Sequence, residues 1–106
     1  MNAKLWYLVV ALFFICPSWL AAENDAASLF KSKCAMCHAE DGSGNTPSGK
    51  ALKAKDLRSQ ETQSKSDAEI SEVITKGRNK MPAFGQKLKP EQIQELVAYV
   101  RRLAKK

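Results

Sequence analysis

Apolar positions along the chain form one continuous run near the start and three periodic stripes after it. The run is Leu5 through Cys16 (LWYLVVALFFIC), broken by Pro17-Ser18. The first stripe carries Leu29 and Phe30 and predicts a helix from about Asp25 to Cys37, capped by Asn24 or Asp25. A second helix is predicted from Ser66, where Ser66-Asp67-Ala68-Glu69 has capping-box spacing. Its Ile70, Val73 and Ile74 repeat at i, i+3, i+4, and Gly77 is placed to end it. A third begins with Pro90 at the first helical position, with Ile93, Leu96, Val97, Val100 and Leu103 on its apolar face. Arg101, Arg102, Lys105 and Lys106 suit the negative end of its dipole. No segment reads as a strand. The stretch Ala39 to Lys65 reads as one long irregular connection, unusual in a small domain unless it wraps a bulky cofactor.

The apolar run is a leader and not part of the fold. Lys4 supplies a positive start, and Leu20-Ala21-Ala22 offers small residues for cleavage, so residues 1–22 are expected to be a cleaved signal peptide. The competing reading is an uncleaved anchor, because uncharged sequence from Leu5 to Ala22 approaches the ~17–20 residues a membrane span needs. Pro17 and the lack of a basic stop-transfer cluster argue against it. A lipoprotein is disfavoured too, since Phe14-Ile15 and Pro17 flank Cys16 where small residues are preferred.

Cleavage changes the composition. Losing 22 of 106 residues leaves 84 in a single domain, residues 23–106. Of the 17 Lys and Arg only Lys4 is lost, and all 11 acids stay, so the mature chain carries about +5. Cys16 leaves as well, so the three cysteines become two, Cys34 and Cys37. A domain this small has a marginal core and usually needs a staple.

Cys34-Ala35-Met36-Cys37-His38 is a C-x-x-C-H string, the attachment signature of c-type haem. Residues three and four apart share a helix face, so both thiols and the imidazole point one way. The thiols add to the porphyrin vinyl groups while His38 reaches the iron as proximal ligand. A thioredoxin-like dithiol would need a βαβ context. A structural zinc site would need four ligands, and the mature chain has two Cys and one His. A disulfide across so short a loop would stabilise little. Export also fits, because bacterial c-type haem is attached outside the cytoplasm. The sixth ligand follows by elimination: there is no second histidine, Met1 leaves with the leader, and Met36 lies between the cysteines pointing away from His38. Met81, in Lys80-Met81-Pro82-Ala83-Phe84-Gly85, remains as distal axial ligand, with Pro82 restricting its backbone toward an extended form.

At this point the whole mature chain resembles the small class I c-type cytochromes that bacteria export. The resemblance is carried by Leu29-Phe30, the Cys34–His38 motif, Ala39-Glu40-Asp41-Gly42-Ser43-Gly44, Gly77, Met81-Pro82-Ala83-Phe84 and Leu96-Val97-Ala98-Tyr99-Val100-Arg101. It implies an all-α fold: three main helices and long loops around one covalent haem, first and last helices crossing, with Phe30 near Tyr99. Two departures stand out. Ala26 holds the crossing position where the family often has Gly, and the mature chain lacks the Trp that bonds a haem propionate in many members. Arg58 or Lys55 is the candidate replacement. A carbonyl partner is expected for the His38 ring N–H, with Pro47 as candidate. Leu29, Phe30, Leu52, Leu57, Ile70, Val73, Ile74, Phe84, Leu88, Ile93, Leu96, Val97 and Val100 are expected to line the core and pocket.

A haem with both axial positions filled by protein suits outer-sphere electron transfer, and thioether ligation in an apolar pocket raises the reduction potential. The expected function is a single-electron carrier between larger redox proteins, not an enzyme. Lys76, Arg78, Lys80, Lys87 and Lys89 flank the Met81 loop and would steer it to acidic docking patches on partners. Nucleic acid is not needed to explain the modest positive charge. A periplasmic monomer is the default. The alternatives are a haem peroxidase or gas sensor with a labile Met81, or a membrane-anchored electron-transfer subunit that keeps its leader.

Overall fold

The computed structural model describes residues 18–106, with side chains placed from Asp25 onward. Six helices follow in order: α1 Ser18–Lys33, α2 Ala35–His38, α3 Pro47–Leu52, α4 Gln60–Gln63, α5 Asp67–Lys76 and α6 Pro90–Leu103. Among the described residues there is no strand, and one isolated bridge pairs Arg78 with Met81. Of the expected leader, residues 1–17 lie outside the described residues.

The two later helices start and stop where their sequences require. Ser66 accepts from the Glu69 N–H while the Ser66 N–H donates to the Glu69 carboxylate, so α5 opens with a complete capping box. Gly77 ends it at φ 73°, a conformation that favours glycine. Pro90 opens α6, and the Lys89 N–H donates to Gln92 Oε1.

The first predicted helix differs in both its ends. α1 is already running from Ser18, upstream of the start expected near Asp25. It also does not reach Cys37 unbroken. Cys34 sits in a turn, and α2 restarts at Ala35. The connection from Ala39 to Lys65, expected to be irregular, contains two short helices. Thr46 caps α3 by accepting from the Gly49 N–H, and Ser59 caps α4 by accepting from the Thr62 N–H.

The core forms where α1 crosses α6 and α5 packs alongside α6. Phe30, Ile70, Ile74, Phe84, Leu88, Ile93, Leu96, Val97 and Leu103 make one buried cluster. The Phe30 and Tyr99 rings lie 4.9 Å apart at 39°, the contact expected at the crossing. Ala26 is buried at 1% exposure, so there is little room for a larger residue at the crossing. Leu29 and Leu57 pack on the cluster from its edge. Leu52 ends α3 and lies outside the protein's own apolar cluster, with the chain turning away through Lys53 in the left-handed region.

Arg101 ties this core to the connection before α5. Its guanidinium donates to the Gln63 and Lys65 carbonyls, to Gln63 Oε1 and to Asp67 Oδ1. Gln63 Nε2 in turn donates to the Leu57 and Val100 carbonyls. The expected role of Arg101 as a helix-end cation is therefore the lesser part of what it does.

Replacing Leu96, 1% exposed, by Ala should lower the unfolding free energy of the holoprotein by about 3 kcal/mol. Denaturant titration followed by circular dichroism measures the change.

Candidate haem site

The C-x-x-C-H string is positioned by the end of α1. The Cys34 N–H still donates to the Phe30 carbonyl at 2.8 Å, so the turn at Cys34 stays on the axis of α1. His38 N–H donates to Cys34 O at 2.9 Å, an i to i−4 bond that sets the thiol and the imidazole on one face. Cys34 and Cys37 are both free and half-buried. Burial, and then the neighbouring Cys37, push the Cys34 thiol up to about 11. Among the described residues there is no group of three or more His, Cys, Asp or Glu that could hold a metal ion.

The His38 ring is oriented by a backbone carbonyl. Nδ1 lies 3.0 Å from Lys55 O, and since a carbonyl can only accept, Nδ1 carries the proton. Nε2 is then the nitrogen left to bind a metal. Pro47 does not take this role. It is the first residue of α3, where a carbonyl is directed along the axis to the N–H four residues on.

Below the motif the chain is packed backbone to backbone. The Thr46 hydroxyl accepts from Gly49 N–H at 2.8 Å and shares its own proton between the Met36 and Cys37 carbonyls. Gly49 is required for contact, not for conformation: a Cβ there would collide with the carbonyls of Cys37 and Gly44. Gly44 N–H donates to His38 O at 2.7 Å. Met36 is 76% exposed, as befits the residue pointing away from the other three.

Met81 is held by the loop that leaves α5. Arg78 and Met81 exchange backbone bonds of 3.2 and 2.9 Å across a tight turn with Asn79 at φ 53°. A Cβ on Gly77 would come within 2.6 Å of the Met81 carbonyl, so this glycine serves both the helix end and the close approach of the loop. Phe84 and Gly85 donate to the Ile74 and Thr75 carbonyls at the end of α5. Met81 itself is half-buried against the apolar cluster, and Cys34 borders the same cluster.

The residues present fit haem c. The two thiols, the imidazole with its outer nitrogen already satisfied and the thioether supply the donors that haem takes, beside an apolar surface. The two candidates for a propionate partner are engaged within the protein. Arg58 is held by Asp56 and Asp41, and Lys55 Nζ pairs with Glu61 at 3.2 Å.

A helical frame closing on such donors defines a c-type cytochrome. Comparison with known proteins agrees. The family described as cytochrome c oxidase, cbb3-type, subunit III matches residues 21–100. The chain is 42% identical over 100 residues to cytochrome c6 of Nostoc sp. strain PCC 7120, covering 92% of this chain and 87% of that one. It is 45% identical over 75 residues to cytochrome c6 of Aphanizomenon flos-aquae, covering 70% and 82%. A solved structure, the KustC0563 c-type cytochrome, superposes with a TM-score of 0.69 at 36% identity, covering 74% of this chain and 96% of that one. The chain belongs to the class I c-type cytochromes. Its cofactor is covalent haem c, its work is electron transfer between redox partners, and the enzyme and sensor readings are not favoured. No helix among the described residues is long and apolar enough to cross a membrane.

Two features of the site escaped sequence reasoning. The Lys55 carbonyl is a backbone group with no side-chain signal. The Thr46–Gly49 packing could have been suspected from Thr-Pro-x-Gly as a capped helix start, though not its contact with the Cys37 carbonyl. Gly49→Ala should lower stability by about 1–3 kcal/mol through overpacking. It should also reduce the haem-to-protein absorbance ratio of the purified material.

Proposed function

We propose that one haem c is bound through thioethers at Cys34 and Cys37, with His38 as proximal and Met81 as distal axial ligand. Residues 1–22 are removed on export to the periplasm, and residues 23–106 act there as a monomeric single-electron carrier. The observation that carries the assignment is the 3.0 Å bond between His38 Nδ1 and Lys55 O, which leaves Nε2 as the metal-binding nitrogen. Met81 is supported by its place on the apolar cluster that Cys34 also borders.

Haem c supplies a one-electron iron couple when bound. His38, braced from Nδ1, keeps its orientation in both oxidation states. Met81 is braced through its own backbone bonds to Arg78, so its thioether needs little rearrangement as the charge changes. With His38 committed to the iron, the sequence has no second histidine to act as a distal acid or base. The apolar cluster excludes water and favours the less charged ferrous state.

Partner choice rests on the surface around the Met81 loop. Arg78, Lys80, Lys87 and Lys89 are exposed there, and Lys76 beside them pairs with Glu72 at 3.1 Å. Charge of one sign near the electron's exit would steer encounters with acidic patches on redox partners.

The ferric holoprotein should show the weak sulfur-to-iron charge-transfer band, and Met81→Ala should abolish it and open the ferrous form to carbon monoxide. A wild-type protein without the band that binds carbon monoxide readily would overturn the carrier assignment. Electron transfer to an acidic partner should slow as salt rises, and Lys80→Gln with Lys87→Gln should cut the low-salt rate about tenfold while leaving the high-salt rate nearly unchanged. Stopped-flow kinetics across an ionic-strength series reads both. Mass measurement of the exported protein tests removal of residues 1–22.

A further inference from the structure

Two irregular segments, residues 39–44 and 54–58, are stitched together beside His38. Leu57 N–H donates to Gly42 O at 2.7 Å, and a Cβ on Gly44 would lie 2.9 Å from the Ala54 carbonyl. The second segment holds the Lys55 carbonyl that accepts from His38. That carbonyl shares a rigid peptide plane with the Asp56 amide, so whatever fixes Asp56 aims the carbonyl.

Asp56 is fixed by its own side chain. Its carboxylate accepts from the backbone N–H of Arg58 at 2.9 Å and from Nε and Nη2 of the same residue at 3.1 and 3.2 Å. Arg58 Nη1 reaches across to Asp41 Oδ2 at 3.7 Å, linking the turn to the segment that follows His38. Asp41 is in turn anchored by accepting from Ser43 N–H at 2.9 Å. Thr62 Oγ1 donates to Asp56 O at 3.3 Å from the far side. Exposed ion pairs of this kind add little to stability. What a bidentate fork adds is geometry.

We propose that Asp41, Arg58 and Asp56 are positioning residues that clamp the Lys55 carbonyl onto His38 Nδ1, and that through this bond they set the reduction potential of the haem. The proposal rests on His38 being the proximal ligand. A firm bond at Nδ1 makes the imidazole a stronger donor, which favours ferric iron and holds the potential down. Loosening the clamp weakens that bond and raises the potential. The sign matters, because a cation near the haem acts oppositely as a bare charge. Losing the Arg58 charge alone would favour ferric iron and lower the potential.

Arg58→Met therefore separates the two effects, read on the holoprotein by redox titration and by proton NMR of the ferrous form. Ring protons of His38 strongly shifted by the haem first establish that it is on the iron; without that shift the ligand assignment fails, not the clamp. With it, the expected result is a raised midpoint potential and exchange of the His38 Nδ1 proton accelerated about tenfold, the loss of roughly one hydrogen bond's protection. Arg58→Lys, able to pair with one carboxylate, should restore part of both. An unaltered exchange rate or a fall in potential overturns the proposal. If Arg58→Met does not accumulate as holoprotein, Asp41→Asn decides by exchange alone: faster exchange supports the clamp and wild-type exchange overturns it.

Discussion

The crossing of α1 and α6 is the contact from which the positions of the site follow. Phe30 of α1 is 2% exposed among the apolar residues of α6, with its ring against Tyr99. Four residues further on, Cys34 is still bonded to the Phe30 carbonyl, so the crossing fixes where the attachment motif leaves the helix. From the same α6, Arg101 grips the chain between Gln63 and Asp67 and so sets the start of α5. The end of α5 then catches Phe84 and Gly85, closing the loop that carries Met81. Both axial-ligand candidates are thus referred to one packed helix pair. A chain with so small a core could not hold two separate ligand loops independently.

Backbone groups do most of the local work at the site. The partner of His38 is a carbonyl, Met81 is held by its own N–H and C=O, and Thr46 bonds the carbonyls of the motif. Gly49 and Gly77 matter for the close approach of main chain to main chain. Such contacts have few rotamers to relax into. A carrier that must pass an electron with little movement of its ligands is well served by supports of that kind.

This division explains what the sequence made legible. Capping at Ser66, termination at Gly77 and the start at Pro90 depend on side-chain type within a few residues, and they stand as read. The stripe of α6 depends on period alone, and Ile93, Leu96, Val97, Val100 and Leu103 are all buried. The turn at Cys34 interrupts a pattern that is helical on both sides, so periodicity could not reveal it. Lys55 as the partner of His38 was hidden because a carbonyl belongs to every residue, and which one arrives depends on how residues 39–44 and 54–58 fold together. Arg101 was hidden for the same reason: its acceptors are the carbonyls of a segment more than thirty residues away.

Charge is distributed unevenly in a way that the net value conceals. Glu40, Asp41, Asp56, Glu61, Asp67 and Glu72 each face a cation of the protein itself, and these pairs lie outside the segment from Gly77 to Lys89. That segment carries Arg78, Lys80, Lys87 and Lys89 and contains no acid. Among the described residues none of these four makes an ion pair, although Lys87 Nζ lies 5.5 Å from the Phe84 ring centroid. Screening confines the reach of exposed charge to about 10 Å, so paired regions are nearly neutral to an approaching protein. The cations of the Met81 loop therefore stand without an acid of their own segment to offset them, where Met81 joins the apolar cluster.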